Sequence, residues 1–315
     1  MTMPVFVVDP TIHSSVLEGL VSEESGLRPV ESPEGAVALI TRDKDVDTAL
    51  IQAAGDGLKA IVLLEPAAAQ VATTSVPVHR IDNPALTGVA EHTVLLMLAL
   101  SKRLPWVLEK TGLRAWTPET SEPALTDQRK YAFNWVGLDA FGLLAGSTVG
   151  LVGMGTIGTA TSRMLRGFGT NVIYTKRTRL SAAEEAELGL SWRGLDQLLE
   201  ESDYVSLHHR FVEGPDGNDM EFGADAFRRM KSTAFFINTA RGRMVDEDAL
   251  CDALETGEIA GAALDVFRYE PLPEDHRLFR LPPERVILTP HLAGVPMKEA
   301  ANTVVRQITA ILGGR

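Results

Sequence analysis

The chain has 315 residues, 45% of them apolar, with a mean hydropathy of +0.03 and a formal charge of -12. That length allows two ordinary domains or one large one, and the acidic balance excludes a general binder of nucleic acid or anionic membrane, which needs a basic surface. The longest apolar run, Val94 to Leu100, is far below the ~18 residues of a membrane span. No basic-then-apolar leader opens the sequence, and a lone cysteine, Cys251, excludes an internal disulfide or a Cys-based metal cluster, so a cytoplasmic protein is expected.

The first part alternates strand-like and helix-like runs. Strands are expected at Val5 to Val8, Ala36 to Thr41, Leu58 to Leu64 and Val76 to Ile81. Helices are expected at Ser14 to Val21 and Asp45 to Ala54, with a short one over Ala67 to Thr74. Such alternation implies a parallel sheet covered by helices, here a flavodoxin-like unit without a glycine-rich phosphate turn. Val89 to Leu100 reads as an apolar helix leaving this unit for the next. Leu104 to Leu144 is poorly periodic, with prolines 105, 118 and 123 and the aromatics Trp106, Trp116, Tyr131, Phe133, Trp135 and Phe141. A long irregular connection of this kind is usually functional or an interface. Its aromatics suggest packing, with a second subunit as one candidate and a plain surface excursion as the other.

The alternation resumes at Ser147 to Gly158, STVGLVGMGTIG. Val149, Leu151 and Val152 suit a buried strand, Gly153-Met154-Gly155-Thr156-Ile157-Gly158 forms a G-x-G-x-x-G turn, and Thr159 to Phe168 has helical spacing. Strand, turn and helix in this order suit a dinucleotide, whose pyrophosphate sits on the free N–H groups of a helix N-terminus. Further strands are expected at Asn171 to Tyr174, Tyr204 to Leu207, Ala234 to Asn238, Ala262 to Val266 and Val286 to Leu288. Further helices are expected at Ala182 to Leu188, Leu195 to Glu200, Ala224 to Met230, Asp246 to Thr256 (with Gly257 as its C-cap) and Met297 to Leu312. The last comes too late to extend the nucleotide sheet and is a candidate to return to the first unit.

An NAD-preferring site puts an acid at the end of the second strand, about 20 residues after the turn, for the ribose 2′-OH. Here that place reads Thr175-Lys176-Arg177-Thr178-Arg179. A hydroxyl and three cations attract a 2′-phosphate, so NADP is expected, with NAD as the alternative. Three more groups follow later strands: Arg241 in Asn238-Thr239-Ala240-Arg241-Gly242, Glu270 after Asp265, and His291 in Thr289-Pro290-His291. An arginine for a carboxylate or carbonyl and a histidine for a proton, sharing one sheet edge beside a nucleotide turn, suggest one site. His13, His79, His208 and His276 lack metal-ligand spacing, and no metal is expected.

The motifs VAEHTVLLMLAL, TVGLVGMGTIG, INTARGRMVDEDAL, GEIAGAALDVFRYEP and LTPHLAG, in this order, resemble the D-isomer-specific 2-hydroxyacid dehydrogenases from about Asn83 onward. The resemblance implies an α/β fold of two domains with the active site in the cleft between them. A flavodoxin-like substrate domain would hold residues 1–84 and 296–315, and a Rossmann dinucleotide-binding domain residues 85–295. It implies hydride transfer between a nicotinamide and C2 of a 2-keto or D-2-hydroxy acid, commonly in a homodimer. It assigns Arg241 to the substrate carboxylate and carbonyl, His291 to the proton, and Glu270 to keeping His291 protonated. Its dinucleotide contacts map onto Gly153, Met154, Gly155, Thr156, Ile157 and Gly158, then Thr175, Lys176, Arg177 and Arg179. They continue with His209, Arg210, Thr239, Ala240, Asp265, His291 and Gly294. The hydroxyl-and-basic loop resembles that of NADP-using glyoxylate/hydroxypyruvate reductases. His92 also matches the family and reads as structural.

Three stretches depart from the pattern. Leu64 to Gln70 lacks the glycines that usually hold the substrate carboxylate, and Pro66 removes a donor. His209-Arg210 replaces a small residue and proline; Arg210 is placed either to stack on adenine or reach a 2′-phosphate, or to form a surface ion pair. Val212 to Gly223 is a polar insert, expected as a flexible surface loop. A dinucleotide-binding regulator of the C-terminal-binding corepressor type shares the fold and stands as the alternative, with Arg241, Glu270 and His291 favouring the enzyme.

Overall fold

A computed structural model describes all residues except 1, 10, 11, 13, 22–24, 65, 66, 68, 82, 83, 114–124, 130, 132, 215, 216, 295, 296, 314 and 315. The chain divides into two compact units, Met1–Val89 with Gly294–Arg315, and Ala90–Ala293.

The first unit holds strands β1 (Met3–Val7), β2 (Leu27–Val30), β3 (Ala38–Thr41), β4 (Ala60–Leu64) and β5 (Val78–Ile81). They form one parallel sheet in the order β2-β1-β3-β4-β5, the doubly wound flavodoxin order. Its helices are α1 (Ser14–Val21), α2 (Thr48–Ala54) and, from the far end of the chain, α10 (Met297–Ile311). The last helix does return: Val304, Val305, Ile308 and Leu312 share a core with Val5, Leu20, Ile40 and Val62. Gly19 lets α1 approach α10, since a Cβ there would meet the Val305 side chain at 3.1 Å. α2 starts at Asp47, which caps Leu50 N, and stops at Gly55, as its sequence suggests.

Two expectations fail in this unit. β2 was not anticipated; its LRPV sequence carries a proline, which only an edge strand tolerates. No helix forms among the described residues of Ala67 to Thr74: Val71 bridges to Val46 instead, and Val46 N donates to Gln70 O. Glu65, Pro66 and Ala68, the centre of the atypical loop, lie outside the described residues.

The second unit receives α3 (Pro84–Ser101), within which the division falls, followed by α4 (Leu104–Gly112). α4 replaces the start of the stretch read as irregular. Arg103 takes a left-handed φ of 48° that ends α3, and Pro105 then sits in the first turn of the new helix, where a missing N–H costs nothing. Seven parallel strands follow: β6 (Thr148–Val152), β7 (Asn171–Thr175), β8 (Leu190–Trp192), β9 (Tyr204–Leu207), β10 (Phe235–Asn238), β11 (Gly261–Leu264) and β12 (Val286–Leu288). The order β12-β11-β10-β9-β6-β7-β8 is the Rossmann order with one strand added, reversing at β6, where β7 lies on one side and β9 on the other. Three-residue β8, at the far edge, also escaped the sequence reading. Helices α5 (Thr156–Gly167), α6 (Ala182–Leu188), α7 (Leu195–Glu201), α8 (Ala224–Arg229) and α9 (Glu247–Thr256) link the strands. Val94, Leu96, Met97 and Leu100 of α3 pack with Val149, Leu151 and Tyr174 on one face of this sheet. The other face packs Phe222, Phe227 and Phe236, the last two edge-on at 5.3 Å between centroids.

Candidate active site

The site grows from the carboxyl ends of these strands. After β6, Gly153 has φ 100°, and a Cβ there would lie 2.5 Å from the His209 amide nitrogen. A Cβ on Gly158 would lie 2.5 Å from Gly153 O. Both glycines are therefore required by close backbone approach. Gly155 differs: a Cβ there meets open space, and Gly155 caps α5 with no side-chain bond. The first amides of α5 are left for a ligand, beside exposed Gly155 and Thr156. This cradle fits a pyrophosphate. Met154 is buried and contributes backbone only, and Ile157 is half-buried.

Thr175 ends β7, and Lys176, Arg177 and Arg179 are exposed. They are not equivalent. Arg179 makes a two-pronged bond to Glu185 at 2.8 Å for each contact, and the Tyr174 hydroxyl donates to the same carboxylate at 2.8 Å. The Arg179 and Tyr174 hydrogen bonds hold Glu185 down at about 2, so the pair is charged. Arg179, expected as a third cofactor cation, is thus also tied to α6. Among the described residues, Arg177 has no carboxylate partner, while Lys176 lies close enough to Glu184 to help lower that group.

After β9, His208 has both ring nitrogens covered and without a hydrogen-bond partner among the described residues. Burial, assisted by the neighbouring His209, pushes it down to about 3, so the ring is neutral. Its Cβ would lie 3.5 Å from a Cβ on Gly158, which places it against the glycine cradle. The sequence reading weighed it only as a metal ligand. His209 is fixed by Val152 O at 3.2 Å and Glu221 Oε2 at 2.7 Å. Arg210 is exposed, and its carbonyl accepts from Asn218 Nδ2 at 3.0 Å.

Glu221 and Asn218 belong to the Val212 to Gly223 insert, expected as a flexible surface loop, whose described residues are tied to the sheet edge. Asn218 Oδ1 accepts from Val212 N at 2.7 Å, closing the loop on itself. Asp219 joins Arg243 at 2.8 Å and Arg268 at 3.0 Å. Phe222 is fully buried and bridges to Val245. The insert is stapled to the two turns that carry Arg241 and Glu270.

Those turns are built from their own side chains. At the end of β10, Asn238 Oδ1 accepts from Ala240 N and Asn238 Nδ2 donates to Arg241 O, both at 3.0 Å, an Asx-type turn that exposes Arg241. Thr239 is buried, its hydroxyl 2.9 Å from that of Thr93 on α3. After β11, Glu270 Oε1 accepts from Phe267 N at 2.9 Å, while its Oε2 lies 2.7 Å from His291 Nδ1. Burial pushes Glu270 up, but the hydrogen bonds from His291 and Phe267 N–H outweigh it, and with the charges of His291 and Arg241 they bring the carboxyl below its usual range. Glu270 is therefore ionised beside His291, with Arg241 near enough to act on it.

Asp265, expected among the dinucleotide contacts, is fully buried, and both its oxygens are bonded within the chain. It accepts from the Thr289 hydroxyl at 2.6 Å and from Leu292 N and Ala293 N at 2.9 Å. His92 Nε2 sits 3.1 Å from the same hydroxyl. Asp265 thus anchors the loop in which His291 adopts a left-handed φ of 53°, and His92 has the structural place anticipated for it. Among the described residues no group of acids, histidines and cysteines is arranged to hold a metal. The Gly294 carboxyl-side neighbours lie outside the described residues.

A dinucleotide cradle and an Arg, Glu, His set on one edge of a Rossmann sheet narrow the families that fit. The family model described as D-isomer specific 2-hydroxyacid dehydrogenase, NAD binding domain, matches residues 94–293. The chain belongs to that family. It is similar to a glyoxylate reductase of Korarchaeum cryptofilum, 36% identical over 84% of this chain and 78% of that one. A glyoxylate reductase of Thermofilum pendens is 33% identical over 97% of this chain and 86% of its own. Among solved structures, TT0316 protein from Thermus thermophilus is 29% identical with a TM-score of 0.58, covering 99% of this chain and 98% of the other. This dehydrogenase is therefore an oxidoreductase acting on 2-hydroxyacids, with a pyridine nucleotide bound by its Rossmann unit. No described helix is long and apolar enough to cross a membrane.

Proposed function

We propose that the dehydrogenase is a cytoplasmic NADP(H)-dependent reductase of small 2-keto acids, acting on C2 and giving D-2-hydroxy acids. The hydrogen-bonded Glu270–His291 dyad, 2.7 Å apart beside Arg241, carries this reading. When bound, the reduced nicotinamide supplies a hydride to C2. Arg241 receives the substrate carboxylate and polarises the carbonyl. His291, held through Nδ1 by Glu270, gives a proton to the carbonyl oxygen as the C2–H bond forms. In the reverse direction neutral His291 takes that proton back. The flavodoxin-like unit is assigned to the substrate. Enzyme names on the relatives favour this reading over a catalytically silent regulator, and two of them carry glyoxylate in those names. A panel of 2-keto acids beginning with glyoxylate, assayed with NADPH and NADH, tests it; tight dinucleotide binding with no turnover of any acid refutes it.

The preference for NADP rests on Lys176 and Arg177. Replacing both with alanine is expected to raise KM for NADPH at least ~10-fold, the loss of roughly 1.4 kcal/mol or more of charged hydrogen bonding, with KM for NADH unchanged. Arg179→Ala should leave NADPH affinity within ~3-fold, because its guanidinium already serves Glu185. Equal KM values for the two cofactors in the unaltered enzyme would overturn the assignment.

A homodimer is part of the proposal. Leu95, Leu108, Leu113, Leu125, Phe133 and Leu143 are exposed on α3, α4 and the connection beyond them, a concentration of apolar surface that suits a second copy. Light scattering should report twice the chain mass, and Leu108→Glu should shift it towards the monomer. A monomeric wild type removes this element.

A further inference from the structure

Two successive peptide units, Val266–Phe267 and Phe267–Arg268, are held at the site. Glu270 accepts from the N–H of the first, at Phe267, at 2.9 Å. Glu247 Oε1 accepts from the N–H of the second, at Arg268, at 2.7 Å. Gly242, beside Arg241, lies against this second peptide so closely that a Cβ would stand 1.9 Å from Phe267 C. The turn that exposes Arg241 thus packs on the peptide next to the one that Glu270 holds.

Glu247 is unlike the other two holders. It lies in the first turn of α9, is 7% exposed, and reaches 21 residues along the chain to its amide. Its Oε2 is 3.2 Å from His276 Nε2. His276 Nδ1 accepts from Leu278 N at 3.3 Å, which assigns the ring proton to Nε2 and makes it the donor to Glu247. Burial pushes the carboxyl up, against the Arg268 amide and His276. A half-satisfied carboxylate here would be costly, yet both oxygens have donors and the helix N-terminus favours the charge. Nothing about holding the sheet together requires an acid at this place: α9 is capped by Asp246, which accepts from Ala249 N.

We propose that Glu247 is a positioning residue for the proton-handling pair: by fixing the Arg268 amide it sets the height of Glu270, and through Glu270 the orientation of the His291 ring. The inference rests on reading Glu270–His291 as that pair. Without Glu247 the Arg268 N–H loses its acceptor, the turn relaxes, and the 2.7 Å contact between Glu270 and His291 lengthens. A shift of about 1 Å at such a site costs on the order of 10²-fold in rate.

The test uses the full chain as wild type, Glu247→Ala, Glu247→Asp and Glu247→Gln. It follows the pH titration of the His291 ring-proton NMR signal, identified by its loss in His291→Ala, together with the kinetics of glyoxylate reduction by NADPH. In Glu247→Ala the His291 signal should titrate at lower pH than in wild type. Its kcat should fall roughly 10- to 100-fold with KM for NADPH within ~3-fold. Glu247→Asp, whose carboxylate is drawn back by one methylene, should move both readouts the same way by less, and it carries the test if the alanine variant does not fold. Glu247→Gln keeps an acceptor for Arg268 N–H and should recover at least ~5-fold of the lost kcat. An unchanged His291 titration in the folded Ala or Asp variant overturns the proposal even if thermal stability has dropped. If wild type turns over no 2-keto acid, the catalytic reading fails, and the His291 titration alone still decides whether Glu247 positions the pair.

Discussion

His291→Ala and Arg241→Ala are each expected to lower kcat/KM for 2-keto acid reduction by at least ~10²-fold with the fold intact. Both side chains project from turns whose geometry is made by other residues, so their removal leaves the scaffold standing. His291 is 52% exposed, and its loop is held by Asp265 through Leu292 N, Ala293 N and Thr289. Among the described residues the Arg241 side chain donates to the adjacent Ala240 carbonyl, at 2.6 Å, while Asn238 holds its turn. The histidine substitution removes the proton donor and should act mainly on kcat. The arginine substitution removes a charged grip on substrate and should raise KM as well. Glu270→Gln adds a sign. Glu270 is ionised over the working range because its partners hold it below the usual carboxylate range. Its negative charge favours the cationic imidazole, so the alkaline limb of the reduction profile should move to lower pH when the charge is removed. Effects at positions 270 and 291 should not add, since each acts through the other. Normal turnover in either alanine variant, with a matching circular dichroism spectrum and melting temperature, would refute the assignment.

The parts of this site that were legible in the sequence are local ones. STVGLVGMGTIG announces itself because strand, turn and helix lie within a dozen residues and each glycine is demanded by backbone geometry. Arg241, Glu270 and His291 could be read because each follows a buried apolar run, and the ends of parallel strands share an edge. The illegible parts are long-range partnerships. Asp265 stands where a cofactor contact is expected, but its oxygens are taken by residues 24 to 28 positions later. Glu247 reads as an ordinary acid in a helix's first turn until folding brings Arg268 N to it. The polar insert reads as loose because its composition is that of a loop; spacing could not show that Asp219 meets two arginines 24 and 49 residues away. Arg179 was nearer to being readable. Ser181 and Glu184 form a capping box that starts α6, and that start brings Glu185 within reach of Arg179. In the fold, the edge strands β2 and β8 and the helix α4 were missed for a related reason. Pro105 was counted among the marks of an irregular stretch and Pro29 interrupts β2, whereas a helical first turn and an edge strand both accept a proline; β8 is only three residues long.

Among the described glycines Gly242→Ala is expected to be the most damaging addition of a methyl group, and Gly155→Ala gives its contrast. At Gly242 an added Cβ would lie 1.9 Å from Phe267 C, 2.0 Å from Phe267 O and 2.5 Å from Arg268 N. All three are backbone atoms, so no rotamer change relieves the overlap. The obstructing peptide cannot retreat easily either. Its N–H is bonded to Glu247, the N–H of the peptide before it is bonded to Glu270, and it follows β11, whose Leu264 is paired with Asn238 of β10 inside the sheet. Relief requires opening the register between the two site turns. The expected destabilisation is about 4 kcal/mol or more, at the far end of what one substitution does. It should appear as a fall in melting temperature of roughly 10 °C and as loss of turnover in any molecules that remain folded. At Gly155 a Cβ meets no protein atom within 4 Å, so Gly155→Ala should melt within ~2 °C of wild type. The methyl group would instead project into the space left for the pyrophosphate, and the cost should appear as a KM for NADPH raised at least ~10-fold, equivalent to roughly 1.4 kcal/mol. One glycine would then be shown to serve the fold and the other the ligand. A Gly242→Ala protein that melts and turns over like wild type would mean that the Arg241 turn does not pack on the Phe267–Arg268 peptide that Glu247 holds, and the positioning role argued for Glu247 would fall with it.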